Sequence, residues 1–578
     1  MQPALKGPPD LASRWRRDGH WPDRTLPQEM RRAAAEHPDS PIVFHGTVFH
    51  GSVFHGSMFH GSVGQDGADQ GGAGQLVTTV GDLHARALRV AAGLARLGVR
   101  PGDAVAIQVP NWPEGAVAHA AGWLAGAVVV PIAASYGPAE VSFILRQSGA
   151  RVFIVARHWR GRDCAGLLAE SRPRLGELPA LSHVVVIGEP LPATIAWADL
   201  ESGVGSAPQP VTAGACPPPA GVSPAAGPDD PCLLVYTSGT TAEPKGVQHS
   251  HNTLLSEVRG TAAARRAPGT KQLAAFPAGH VAGVLGLLRV LVLGVPSVVM
   301  DAWDPVAAAR LVEEHRVTSA AGAPVYLATM LDAAQRTGHD LSSLAEYLTG
   351  AADVSPELIE RADRAGIAAY RCYGSSEHPT ISSGVPADPL VKRATTDGRV
   401  NPGNEVRIID DEGRELPPGA DGEIVSRGPE QFLGYLASQL NADAYLPGGW
   451  LRSGDLGHLD SGGYLTVTGR KKDIIVRGGE KISAKEVEDV LLRHPAVAEA
   501  ALVGAPDQRY GERACAFVVL RPGASLDLAE VQRHFAGAGL ARQKTPEQLV
   551  ITTALPRTAA GKVQKHALRA SLAGRATS

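Results

Sequence analysis

Eleven residues, Tyr236-Thr237-Ser238-Gly239-Thr240-Thr241-Ala242-Glu243-Pro244-Lys245-Gly246, constrain this 578-residue chain more than any other stretch. They leave a short apolar run, Cys232-Leu233-Leu234-Val235, that reads as a buried strand. A strand that opens into small residues, clustered hydroxyls, two glycines and one lysine is suited to gripping phosphate. Glycine lets backbone N–H groups approach closely, Ser and Thr donate to phosphate oxygens, and Lys245 brings a mobile positive charge. The loop is not of the GxxxxGK[ST] kind, because Gly246 rather than Ser or Thr follows the lysine.

Around this loop the chain alternates between helical and strand patterns. Val80 to Leu97 has helical apolar spacing, and Arg100-Pro101-Gly102-Asp103 turns into the strand Ala104–Gln108. Further apolar strands follow at 128–132 and 152–155. Such a βαβα order predicts a mostly parallel sheet covered by helices. The Pro-, Gly- and Ala-rich stretch 202–230 reads as a surface linker, and a second α/β series runs from Val247 to about Tyr373. Short strands at 406–410 and 422–425 suggest a small β unit. The last ~105 residues, from 472, are long enough for a core of their own.

One segment interrupts this order. A Phe-His-Gly repeat with a period of five runs four times from Phe44 to Val63, and a Gly/Asp/Gln stretch continues to Gln75. Four histidines invite a metal-tract reading. A period of five matches neither a helix face nor one side of a strand, so the rings would not converge. The repeat at 45–75 therefore reads as an expanded, disordered loop between a strand at 41–44 and a returning strand at 76–79.

Composition excludes several classes. With 55 basic against 58 acidic side chains, nothing in the net charge of -3 calls for nucleic acid or an anionic membrane surface as partner. No apolar run reaches the ~18 residues of a membrane span, and the N-terminus lacks a signal-peptide profile. The five cysteines, Cys164, Cys216, Cys232, Cys372 and Cys515, show no metal-like spacing and suit a reducing compartment. The expectation is a soluble cytoplasmic protein.

The 236–246 loop resembles the phosphate loop of the adenylate-forming superfamily, which includes acyl- and aryl-CoA synthetases, peptide-synthetase adenylation domains and beetle luciferases. Other segments resemble the same family in order. Gly350-Ala351-Ala352, after the strand-like Glu346–Thr349, resembles its adenine-pocket turn, and Tyr373-Gly374-Ser375-Ser376-Glu377 its YGxTE motif with Ser376 for Thr. Ser453-Gly454-Asp455 resembles its TGD motif, and Gly469-Arg470-Lys471-Lys472-Asp473 with Gly478-Gly479-Glu480 the segment that joins its domains. Pro556-Arg557-Thr558-Ala559-Ala560-Gly561-Lys562 resembles its C-terminal lysine motif. The resemblance spans about residues 25 to 570.

The resemblance implies the following. Thr237, Ser238, Gly239, Thr240, Thr241 and Lys245 hold phosphates. Gly350, Ala351, Ala352, Tyr373 and Gly374 frame adenine, and Ser376 meets the α-phosphate. Glu377 binds Mg²⁺. Asp455 and Arg470 hold the ribose, Lys472 is the hinge, and Gly478 and Gly479 line the pantetheine path. Lys562 bridges carboxylate and α-phosphate, and His280, in Phe276–Gly283, gates the acid. The implied fold is α/β: a large N-terminal domain (1–471) of two doubly wound α/β subdomains plus a small β unit, with a mobile, smaller α+β C-terminal domain (472–578).

The implied reaction uses ATP, Mg²⁺ and CoA: a carboxylate attacks the α-phosphorus, and a thiol then takes the acyl group and releases AMP. No Asp lies between Phe276 and Val299 to pair a substrate ammonium. An amino acid would leave that charge unpaired among apolar groups. Val281, Val284, Leu285, Leu288 and the 322–326 segment predict a mainly apolar pocket with His280 and Tyr326 as polar tips, suited to a fatty, alicyclic or aromatic acid. The whole resembles medium-chain and cyclohexanecarboxylate-type CoA ligases. Alternatives sharing these motifs are loading of a separate carrier protein, nitrite activation for diazotisation, and nucleotide binding without catalysis. Monomer and homodimer are both compatible.

Overall fold

The computed structural model describes residues 9–47, 59–60, 73–166, 180–202, 227–237, 244–263, 269–477, 480–507, 509–538, 542–558 and 562–575. Two large sheets carry the first two-thirds of it. In the eight-stranded sheet, Ile195–Ala196, His183–Ile187, Val152–Ala156, Ala104–Gln108, Val128–Pro131 and Pro231–Thr237 run parallel. Ala104–Gln108 and Val152–Ala156 are buried along their whole length. They read as unbroken apolar runs because helices or a second sheet's helices cover both faces.

In the ten-stranded sheet, Ala368–Tyr373, Glu346–Thr349, Ser319–Gly322, Gln272–Ala274, Ser297–Met300 and Pro41–Thr47 run parallel. Strand Ala73–Thr79 returns antiparallel on Pro41–Thr47, with Pro41 opposite Thr79. Helices Val80–Arg96, Pro113–Leu124 and Val281–Leu293 lie between the sheets. One core joins Ile42 and Phe44 of one sheet to Val105 and Ile107 of the other through Trp123 and Leu288. Separate cores cover the two outer faces. The result is five alternating layers of helix and sheet.

One assignment by chain order, that of the strand through Val247, is corrected. The 41–79 hairpin belongs to the sheet of the second series, and Lys245–Ser250 belongs to the first, antiparallel to Pro231–Thr237. Residues 238–244 alone join these two strands, too few for a parallel crossover, so the chain must turn back. Of the Phe-His-Gly repeat, Phe59–His60 pairs with Leu76 and Gln75. Most of 45–75, and of the 202–230 linker, lies outside the described residues.

Glu405–Ile409, Gly422–Arg427, Tyr445–Leu446, Trp450–Leu459 and Leu465–Arg470 form the small antiparallel β unit. The chain then passes through one 3₁₀ turn, Lys471–Asp473, into a separate sheet of Ile474–Arg477, Glu480–Ser483, Val497–Asp507, Gly511–Leu520 and Gln548–Thr552. Helices Ala484–Leu492, Leu528–Gly537 and Lys565–Arg575 pack there, around cores that share no residue with the large sheets. Among the described residues no helix is long and apolar enough to cross a membrane.

Candidate active site

In the ten-stranded sheet the chain steps from Gln272–Ala274 to Ser297–Met300 on one side, then to Ser319–Gly322 on the other. Crevices of open α/β sheets form where the order reverses, beyond the carboxyl ends of the strands. Beyond those ends stand His280, Gly350–Asp353 and Tyr373–Glu377, with Tyr326 in the first turn of helix Pro324–Thr337. Two backbone features hold this rim. Ala351 sits at φ +67°, a left-handed conformation that costs a non-glycine residue energy. A Cβ on Gly374 would lie 1.8 Å from the Pro379 carbonyl oxygen, so only glycine fits there.

On one side of the site, Tyr373 donates its phenol to Asp455 Oδ2 at 2.8 Å. Arg470 Nε lies 2.8 Å from the other carboxylate oxygen, across the strand pair that sets Asp455 opposite Arg470. Burial and the Asp455 carboxylate push the Tyr373 phenol well up, so it remains a donor. Asp455 itself is buried. A buried carboxylate held by an arginine and a phenol presents a rigid acceptor edge, the geometry required to grip a vicinal diol.

On the other side, Tyr435 donates to Glu377 Oε1 at 2.7 Å, and its ring lies 5.1 Å from Lys245 Nζ. Thr237 and Lys245 face each other at the loop end of the hairpin. His249 Nε2 donates to the Ser376 carbonyl at 2.8 Å and fixes the turn that carries Glu377. Among the described residues no group of three His, Cys, Asp or Glu gathers as a metal cage. A lone carboxylate with one oxygen engaged fits Mg²⁺, which takes its other ligands from phosphate and water.

Lys562 enters from the C-terminal unit. Burial and the nearby cations Arg470 and Lys472 lower its pKa, against the pull of Asp455 and Glu377. Lys472 in turn feels Arg470 and Lys245. The four cations, predicted from three separate motifs, therefore share one region. His280 caps helix Val281–Leu293 without a side-chain capping bond, and its Nε2 is buried with no hydrogen-bond partner among the described residues. Burial and the Lys562 charge lower its pKa to about 4, so the ring is neutral.

Below His280 a cavity opens between helix Val281–Leu293, helix Pro113–Leu124 and the hairpin. Ile42, Phe44, Leu83, Trp112, Phe276, Gly283, Gly286, Leu287, Val290 and Val299 line it. Asn111, the polar side chain there, spends its amide on the carbonyls of Phe276 and Met300 and on the Ala278 N–H. The apolar character was expected, but the lining differs. Val284, Leu285 and Leu288 turn into the inter-sheet core, whereas residues 283, 286, 287 and 290 share the face towards the cavity. Tyr326 stacks on Trp303 at 4.3 Å and 5° rather than lining this space.

Ser238, Gly239, Thr240, Thr241, Gly478 and Gly479 lie outside the described residues. Gly350, Ala351 and Ala352 stand on the rim, where a Cβ on Gly350 would meet Cys372 Sγ at 2.6 Å. Sequence reasoning missed Tyr435, His249 and Trp303. Tyr435 stands 58 positions from its partner Glu377, and no local pattern links the two.

With this geometry in hand, comparison with known proteins is direct. The family model described as AMP-binding enzyme matches residues 69–436, and that of the AMP-binding enzyme C-terminal domain matches 486–562. The chain belongs to the AMP-binding enzyme family. It is 36% identical over 488 residues to the medium-chain fatty-acid–CoA ligase of Escherichia coli (strain K12), covering 83% of each chain. It is 33% identical to the salicyl-AMP ligase / salicyl-S-ArCP synthetase of Mycobacterium tuberculosis (strain ATCC 25618 / H37Rv), covering 97% of this chain and 93% of that one. The ATP-bound MatB structure from Rhodopseudomonas palustris superposes with a TM-score of 0.74 at 27% identity, over 85% of this chain and 93% of that one.

Proposed function

We propose that the protein is an AMP-forming acid:CoA ligase for carboxylic acids with apolar tails. One observation carries this reading. Lys245, Arg470, Lys472 and Lys562, from three separate segments, converge on the strand ends beside the Glu377 and Asp455 carboxylates. Gathering cations is costly unless an anion of high charge density joins them. In this reading ATP lies along the rim, with its ribose on Asp455 and its phosphates towards Thr237 and Lys245. Glu377 holds Mg²⁺, which neutralises phosphate charge when bound. Lys562 offsets the charge that builds as carboxylate meets α-phosphate. The neutral His280 presents Nε2 to the acid head. CoA then accepts the acyl group, and the C-terminal unit turns about Lys472 to bring up Gly478 and Gly479 between the half-reactions.

The acid class rests on the cavity, whose lining is mainly apolar and whose one side-chain amide, Asn111, is spent on backbone groups. Its depth turns on Gly286, where an added Cβ would meet nothing nearer than Ala274 Cβ at 4.0 Å. Gly286→Leu should therefore fill the space without moving backbone. Turnover of eight-carbon acids is expected to fall about tenfold or more, and that of acids of about four carbons to persist. Equal loss on short and long acids in a kcat/KM series would remove the cavity from the acid path.

A second acceptor is a carrier protein, favoured by the near full-length match to a relative named for loading one. The test is pyrophosphate release from Mg·ATP over fatty, alicyclic and aromatic acids, with CoA, a phosphopantetheinyl carrier, or nitrite plus an aromatic amine as acceptor. Acid-dependent release with AMP and acyl-CoA as products is expected. Product on the carrier alone would replace CoA as acceptor, and release that needs nitrite would overturn the function.

A further inference from the structure

Lys485 occupies an unusual place. It lies in the first turn of helix Ala484–Leu492, where the helix dipole disfavours a cation, yet its side chain is only 12% exposed. Two carboxylates account for it. Asp489, one turn along the same helix, lies 3.1 Å from Nζ. Asp353, from the large unit, lies 3.8 Å away and directly follows the Gly350-Ala351-Ala352 turn, with Ala351 at φ +67°. Arg371 is close enough to oppose the charge. The same helix start makes a second crossing, Ser483 Oγ donating to the Thr468 carbonyl at 2.9 Å.

One turn further on, Glu488 is buried and lies 2.8 Å from Lys565 Nζ. Lys565 opens the helix that follows Lys562 by three residues. Arg569 of that helix holds Asp473, the last residue of the 3₁₀ turn, at 3.0 Å. Two sets of ionic contacts, joined by one helix, thus lie between the nucleotide rim and the base of the Lys562 loop.

We propose that Asp353 and Lys485 are positioning residues for adenylate formation, latching the C-terminal unit in the pose that brings Lys562 to the nucleotide. The latch rests on the two-pose reading given above. When the unit turns, Lys485 keeps Asp489 but leaves Asp353, so the pair stabilises one pose only. A part-exposed pair of this kind shifts an equilibrium modestly, about fivefold.

Asp353→Asn, Lys485→Gln and the double variant test it on the full chain, with octanoate and octanoyl-adenylate as probes. Each single variant is expected to slow single-turnover pyrophosphate release about fivefold and to leave thioester formation from supplied octanoyl-adenylate and CoA no slower. The double variant should match the singles, because either change already breaks the pair. Multiplying effects in the double variant, or equal loss in both half-reactions, would overturn the latch. Hydrogen exchange with Mg·ATP alone adds an acid-independent readout: amides of 484–492 should exchange about fivefold faster in each variant, and unchanged protection also refutes it. Lys562→Ala measured in parallel separates the failures, since loss of both half-reactions there defeats the two-pose reading itself.

Discussion

Lys562→Ala is expected to slow acyl-adenylate formation by about 10²- to 10³-fold, while thioester formation from a supplied acyl-adenylate continues near the parent rate. The size follows from what the ammonium does. A carboxylate approaching a phosphate must overcome repulsion between anions, and removing one preorganised cation from such a site costs about 3–4 kcal/mol of transition-state stabilisation. Lys562 is placed for that work. It is desolvated, pressed by Arg470 and Lys472, and drawn by Asp455 and Glu377, so its charge is directed rather than screened by water. No comparable demand exists in the second half-reaction, where AMP leaves as a stable anion. Rapid-quench measurement of each half-reaction checks this. Equal losses in both, with an unchanged melting temperature, would show that Lys562 does not act in adenylation alone.

Acid should destabilise the protein above the pH range in which ordinary carboxylates titrate. His119, His249, His251, His280 and His378 are all lowered to about 4, each mainly by burial. Between pH 6.5 and 4 the unfolded chain binds a proton at each site that the folded chain refuses. Stability therefore falls as pH falls through that window and is fully present above it. Two buried carboxyls pull the other way: Glu488 is raised to about 7 by burial, and Glu430 is raised by burial and the Glu257 charge. Their contribution is full at low pH, and that of Glu488 fades as pH rises towards 7. Five histidines outnumber the two carboxyls, so acidification should carry a net cost in stability. Urea midpoints at pH 7.5 and 5 should differ widely, and His119→Gln should flatten the slope. A midpoint that stays constant from pH 7 to 5 would refute this account.

How legible the molecule was varies with the range of the interaction. Strand Ala104–Gln108, helix Val80–Arg96 and strand Glu346–Thr349 were readable because their signals are local: apolar periodicity, caps and turn residues. The hairpin partners Pro41–Thr47 and Ala73–Thr79 were readable as strands, but not the sheet they join. That choice depends on which edge, here Ser297–Met300, is left open some 250 residues later. The acid cavity shows the same limit within one helix. Apolar residues at 284, 285 and 288 and at 283, 286, 287 and 290 look equally suited to a pocket, and only the packing partners decide which face meets the core.

By itself the sequence determined the chemistry available. The loop at 236–246, Glu377, Asp455, Arg470 and Lys562 are residue types whose charges and donors suit a polyanionic nucleotide, and their order along the chain set the architecture. Tertiary structure alone decided which of these groups act on one another. Tyr435 holds Glu377, Tyr373 and Arg470 hold Asp455, and Asp353 meets Lys485 across two units of the chain. Electrostatic and hydrogen-bonding energies depend on separations of a few ångströms and on burial. Neither quantity is written in the spacing of residues along a chain, and both appear only when distant segments fold together.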